Sequence, residues 1–256
     1  MVSALIERYF FPALFVGLRV AGMMTFAPFL GTRVLPARVK AGLTVAITIL
    51  LVPSYSPRPV PSSVTSWLGI AMSEAALGIL MGLSVQMVFD GFQLAGQVAG
   101  VQMGFALENL FDPTTNATTP VLSVFYQTIA LLIFLQLNVH HWMLLALGQS
   151  FRLVPVGTVV AGMPAMREML RAAESMWVIG VEIAAPVLVA TMAVDLALSF
   201  LSRISPQVPV LLVGLSVKQM LGYLAMVGAI AMWPAYLQSR FLDAIALAER
   251  ILHLVH

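Results

Sequence analysis

GQVAGVQMGFALENLFDPTTNATTP, Gly96 to Pro120, breaks an otherwise greasy chain with evenly spaced glycines, two acids and a threonine-rich run closed by proline. Gly96, Gly100 and Gly104 recur every four residues, with Gly91 just before and Ala95 and Ala99 between them. On a helix that spacing makes a smooth ridge against which a second helix can pack closely. Gln93 and Gln97 are also four apart, with Gln86 and Gln102 to either side. Such amides need a subunit seam or a wet channel rather than lipid. Each interior glycine costs about 1 kcal/mol of helix propensity relative to alanine, so the ridge suits packing and bending. Beyond it, the helix is expected to stop at Asp112-Pro113, because the residue before a proline is disfavoured in the α region. A polar stretch follows, and Pro120 is well placed to open the next helix. Two readings of the second half stand side by side. One is an external loop. The other is a re-entrant element in a pore, with Phe105, Leu107, Leu110 and Phe111 as apolar closure, since irregular backbone at membrane depth is tolerated only inside protein or along a water-filled cavity.

Working outward, composition sets the class. Of 256 residues, 60% are hydrophobic and 9% charged, and mean hydropathy is +0.97. A soluble domain carries about a quarter of its residues as charged ones, so the chain is expected to be an all-α integral membrane protein forming a single domain over residues 1–256. A net charge of +2 with no basic stripe gives no support for nucleic-acid binding. The absence of cysteine removes disulfides and thiolate chemistry. Apolar segments are expected at about Tyr9–Leu30, Ala41–Val52, Trp67–Phe89, Val121–Leu137, Trp142–Leu153, Met176–Leu201 and Val208–Trp233. The N-terminal one reads as a retained first span, without a clear cleavage site. The region from Pro155 to Glu174 is mixed, and a charged tail follows Trp233.

Charge placement favours a helical hairpin over Val121–Leu153. With the hairpin, Arg33, Arg38, Lys40, Arg152, Arg167, Arg171, Arg240 and Arg250 share one side, and Arg8, Arg58 and Arg203 lie opposite. The positive-inside rule then puts the C-terminus in the cytoplasm.

Five ionisable residues, Arg19, Glu74, Glu182, Asp195 and Lys218, fall within or near the ends of the apolar segments. A charge at the bilayer centre costs about 3 kcal/mol even on lenient scales. The structural reading makes them pairs that fix register between helices or subunits, with Asp195 and Lys218 a natural pair. The functional reading makes Arg19, Glu74, Asp195 and Lys218 an ion path in an independent secondary transporter or small channel. The adjacent His140 and His141 diverge on a helix and read as an interfacial turn rather than as metal ligands. No catalytic motif, cofactor motif or phosphate-cradling loop is present, so the chain is expected to be neither an enzyme nor a cofactor or metal carrier.

Six pieces in order along the chain resemble the FliR/SctT family of type III export-gate membrane proteins. They are RVAGMMTFAPFLG near the start, EAALGILMGL at Glu74–Leu83, GFQLAGQVAGVQMG at Gly91–Gly104, the Asp112-Pro113 step, HHWMLLALGQSFRLVPVG at His140–Gly157, and SPQVPVLLVGLSVKQMLGYL at Ser205–Leu224. The DP-to-HH segment and the PQ before the last span look more like the flagellar branch. The resemblance implies a non-enzymatic, multi-pass subunit of the bacterial inner membrane in the flagellar basal body. It implies assembly with FliP and FliQ homologues in a five-to-four-to-one ratio, with one copy of this chain, and association with an FlhB homologue. Unfolded flagellar proteins would be the cargo, with membrane lipid around part of the assembly. Transport energy would come from elsewhere, because the chain has no nucleotide site. The resemblance also implies that the loop between the middle helices plugs the resting pore. Here that loop is Val101–Pro120, a re-entrant element bounded by Asp112, Pro113 and Pro120, with Phe105, Leu107, Leu110 and Phe111 as closure.

Overall fold

The computed structural model describes residues 11–28, 36–52, 63–105, 121–158, 163–204 and 210–254. Among these, eight α-helices follow one another: α1 Phe11–Phe26, α2 Ala37–Leu51, α3 Val64–Gln102, α4 Val121–Gln136, α5 Val139–Leu153, α6 Met163–Ile204, α7 Val210–Ile230 and α8 Trp233–Leu254. The all-α class expected from the sequence is the one observed.

Several helices are longer than the apolar segments suggested. The glycine ridge is not a separate element but the end of α3, which runs unbroken for 39 residues. Ser63 starts it: its hydroxyl accepts the Ser66 backbone N–H at 3.2 Å, satisfying one of the donors that every helix N-terminus leaves open. The mixed region after Pro155 contributes the first turns of α6, a 42-residue helix with Pro186 in its interior. The charged tail is the 22-residue α8. In both cases charged residues sit on one side of an otherwise apolar repeat, a pattern that average hydropathy hides.

Two breaks interrupt otherwise continuous apolar stretches. Asn138 takes φ 55° between α4 and α5, a left-handed conformation that asparagine tolerates better than most residues, and the pair is bent by 65°. This is where NVHH marked the break of the expected hairpin. The second break, at 231–232, separates α7 from α8 with a 63° bend. By length and composition α3 and the Met166–Ile204 part of α6 can cross a membrane, and up to four spans result if each bent pair counts as one. The chain is a multi-pass helical membrane protein.

Contacts divide the chain into two compact units. The first comprises the described residues of Met1–Met87, Leu135–Ala173 and Phe241–His256, and the second those of Val88–Phe134 and Glu174–Arg240. In the first, Leu77, Val154, Ile251 and Leu252 are buried together, with Leu80, Leu153, Met169 and Leu247 against them. In the second, the Trp233 ring meets Phe92 edge-on at 5.6 Å and Tyr126 at 4.8 Å, and Phe89 meets Phe134 at 5.4 Å. Off-parallel ring pairs of this kind add about 0.5–1.5 kcal/mol beyond their buried area.

Candidate functional site

In the first unit, α1 and α3 approach so closely that glycine is required at the contact. A Cβ on Gly22 would lie 2.6 Å from the Ala75 carbonyl oxygen, and one on Gly82 would lie 2.7 Å from the Met23 carbonyl oxygen. One on Gly78 would collide with the Arg19 carbonyl. Gly78 and Gly82 are four apart within EAALGILMGL, a small-xxx-small signal as clear as the downstream ridge. Neither is among the packing glycines expected from the sequence, which lie in the later ridge.

That close approach places Arg19 of α1 beside Glu74 of α3. Their charged groups are wholly buried and 2.6 Å apart. The Arg19 Nε donates to Glu74 Oε2 at 2.7 Å, one terminal nitrogen to the Ser150 hydroxyl at 3.1 Å, and the other to the Val154 carbonyl at 3.0 Å. The remaining oxygen of Glu74 accepts the Gly157 backbone N–H at 3.1 Å. The guanidinium carbon also lies 4.4 Å from the centre of the Phe151 ring. One ion pair therefore ties together α1, α3, the end of α5 and the turn after it. Its polar atoms are taken up by protein, as a buried pair must be if its desolvation is to be offset. The arrangement clamps helices and leaves no open ligand position on the guanidinium–carboxylate face. Both charges stand out in the sequence, whereas Ser150, Val154 and Gly157, which lie in the HHWMLLALGQSFRLVPVG piece and carry no charge, do not.

In the second unit the other three selected charges are also paired. Lys218 of α7 meets Asp195 of α6 at 2.6 Å, and Gln102 donates to the other Asp195 oxygen at 3.4 Å. Glu182 of α6 accepts from Arg240 of α8 at 2.6 Å and from the Tyr236 hydroxyl, while Arg240 stacks 4.9 Å above the Tyr236 ring. Arg240 belongs to the charged tail expected after Trp233, and nothing in the sequence signals its partnership with Glu182. Both carboxylates remain 45% exposed within apolar helices, a costly state in hydrocarbon that calls for protein or water alongside.

The ridge glycines divide between different neighbours, all within the second unit. A Cβ on Gly91 would lie 2.8 Å from Ile179 of α6, and one on Gly96 would lie 2.6 Å from the Ser123 backbone of α4. Gly100 is buried. Gly104 lies beyond the helix end with φ 90°, its N–H bonded to the Val101 carbonyl at 3.1 Å. α3 consequently ends at Gln102, ahead of the Asp112-Pro113 step where a stop was expected, because a left-handed glycine terminates helices. Gly104→Ala is expected to destabilise the chain by about 1–2 kcal/mol, the cost of forcing a Cβ into that conformation. Thermal unfolding in detergent checks this, and an unchanged midpoint would count against it. Phe105 packs edge-on against Tyr223 at 6.2 Å. Leu107, Leu110, Phe111, Asp112, Pro113 and Pro120 lie outside the described residues.

A family model described as "Bacterial export proteins, family 1" matches residues 10–244. The flagellar biosynthetic protein FliR of Escherichia coli is 31% identical over 209 residues, covering 82% of this chain and 78% of the relative. The chain belongs to the FliR family of bacterial export proteins. Two further FliR relatives extend the likeness. That of Pectobacterium carotovorum is 28% identical over 96% of this chain and 93% of its own length, and that of Bacillus subtilis is 30% identical with 85% of each covered. The Arg19–Glu74 clamp and the glycine contacts lie inside the matched region.

Proposed function

We propose that this chain is a subunit of the flagellar type III protein export gate. The observation that carries the reading is the likeness to FliR proteins over nearly the whole chain. On this reading one copy assembles with FliP and FliQ homologues and an FlhB homologue in the inner membrane of the flagellar basal body. Together they form the entrance for unfolded flagellar proteins. The stretch Val101–Pro120 supplies a plug that seals the lumen at rest, closed by Phe105, Leu107, Leu110 and Phe111, and moves aside when cargo engages. Support comes from the many large apolar side chains left exposed on α2, α6 and α7 and from the half-exposed carboxylates of Glu182 and Asp195 on α6, since both expect protein neighbours. The Arg19–Glu74 pair, enclosed and fully hydrogen-bonded, gives little support to the alternative of a solo transporter with an ionisable path.

The test is purification of the tagged chain in mild detergent from its native membrane. Two smaller membrane proteins in unequal copy number should accompany it. A monomer that moves a small solute unaided in liposomes would sink the reading. Deleting Glu108–Thr119 should make cells leak ions when the complex is present, and unchanged conductance would reduce the loop to a spacer.

A further inference from the structure

Pro186 lies in the interior of α6. It has no N–H to give, so the carbonyl four residues back, that of Glu182, loses its helical hydrogen bond and is crowded by the ring. The residue at this weak point is the one whose side chain reaches Arg240 and Tyr236 of α8. Thirteen residues further along α6, on the other side of Pro186, Asp195 is held by Lys218 of α7. α6 and α7 also touch closely there: a Cβ on Gly214 would lie 2.6 Å from the Leu198 side chain.

Between Lys218 and Arg240 comes the second weak point, the break at 231–232 where α7 and α8 meet at 63°. The second unit therefore contains a closed linkage. One ion pair joins α6 to α8 before Pro186, the other joins α6 to α7 after it, and each of the two helical segments between the pairs carries one weak point. Bending at a single weak point would pull the ion pairs apart. Bending at both together preserves them, at the cost of the contacts that Gln102 and Phe105 make with Asp195 and Tyr223.

We propose that Val187–Ile204 of α6 and the whole of α7 form one two-helix arm that swings about a paired hinge made by Pro186 and residues 231–232. The arm is held together by Asp195–Lys218, and the base of the hinge is anchored by Glu182–Arg240 with Tyr236. This device does not depend on the export-gate reading, and its test has no transport readout.

The chain has no cysteine, so spin labels can be placed at will on it in nanodiscs. Trp177→Cys with Leu196→Cys straddles Pro186 on exposed positions of α6, roughly 28 Å apart along a straight helix. Leu196→Cys with Leu224→Cys lies within the arm, again on exposed positions. Pulsed electron-resonance distances across the hinge should show a second, shorter component, and Pro186→Ala or Pro186→Leu should remove it. The within-arm distance should stay unchanged in those variants and broaden in Lys218→Gln. A single cross-hinge distance that ignores both proline substitutions would overturn the proposal. So would a within-arm distance that moves with them.

Discussion

Arg19→Met is expected to destabilise the chain by about 3–5 kcal/mol, because it leaves the Glu74 carboxylate buried without its counter-ion. The Gly157 N–H remains on Glu74, but one neutral donor cannot replace a guanidinium at 2.6 Å. Ser150 and the Val154 carbonyl lose their partner in the same step, so three helices and a turn loosen together. The double substitution Arg19→Met with Glu74→Leu removes both charges and should recover much of the loss, since buried pairs replaced by apolar side chains of similar size are often neutral. Thermal unfolding of the detergent-solubilised protein and its level in membranes read both effects. A single variant within about 1 kcal/mol of the parent, the scale of an exposed pair, would show that the pair is not buried in the working protein.

Gly78→Leu should cost more than about 3 kcal/mol, beyond the usual range for overpacking, because the obstacle is backbone rather than a side chain that can turn away. Its Cβ would run into the Arg19 carbonyl with Met23 N at 2.9 Å. α1 and α3 must therefore separate, and the Arg19–Glu74 bond stretches with them. Gly78→Ala should cost about 1–3 kcal/mol. Gly69, on the same helix, has open space around it, and Gly69→Ala should instead stabilise α3 by about 0.5–1 kcal/mol. Equal unfolding midpoints for Gly78→Ala and Gly69→Ala would refute the close approach.

How far the sequence could be read follows from the range of each interaction. Helical class and membrane setting depend on local composition and periodicity, and both were legible. Gly91 and Gly96 could be selected as close-packing positions because spacing along one helix is local information. Their separate partners, α6 and α4, could not, since nothing in a four-residue repeat says which helix comes near. Gly104 matched the repeat yet takes φ 90°, because a helix end competes with a packing ridge for the same residue and only the backbone decides. Helix lengths were underestimated at α6 and α8, where charged residues lower the average hydropathy without interrupting the helical bonds, and at α3, where glutamines and glycines do the same.

The five charges within apolar helices show the same boundary. Their cost in an apolar setting made them conspicuous, so the sequence alone determined that each needs compensation. The tertiary structure decided how: Arg19 with Glu74 across 55 positions, Glu182 with Arg240 across 58, and Asp195 with Lys218. It also recruited Ser150, the Val154 carbonyl and the Gly157 N–H, groups common in any sequence and made specific only by position. Composition determines what must be buried and paired, because transfer free energies belong to residues. Which groups meet depends on where long helices cross, and in this chain glycines at Gly22, Gly78 and Gly82 set one such crossing by letting two backbones touch.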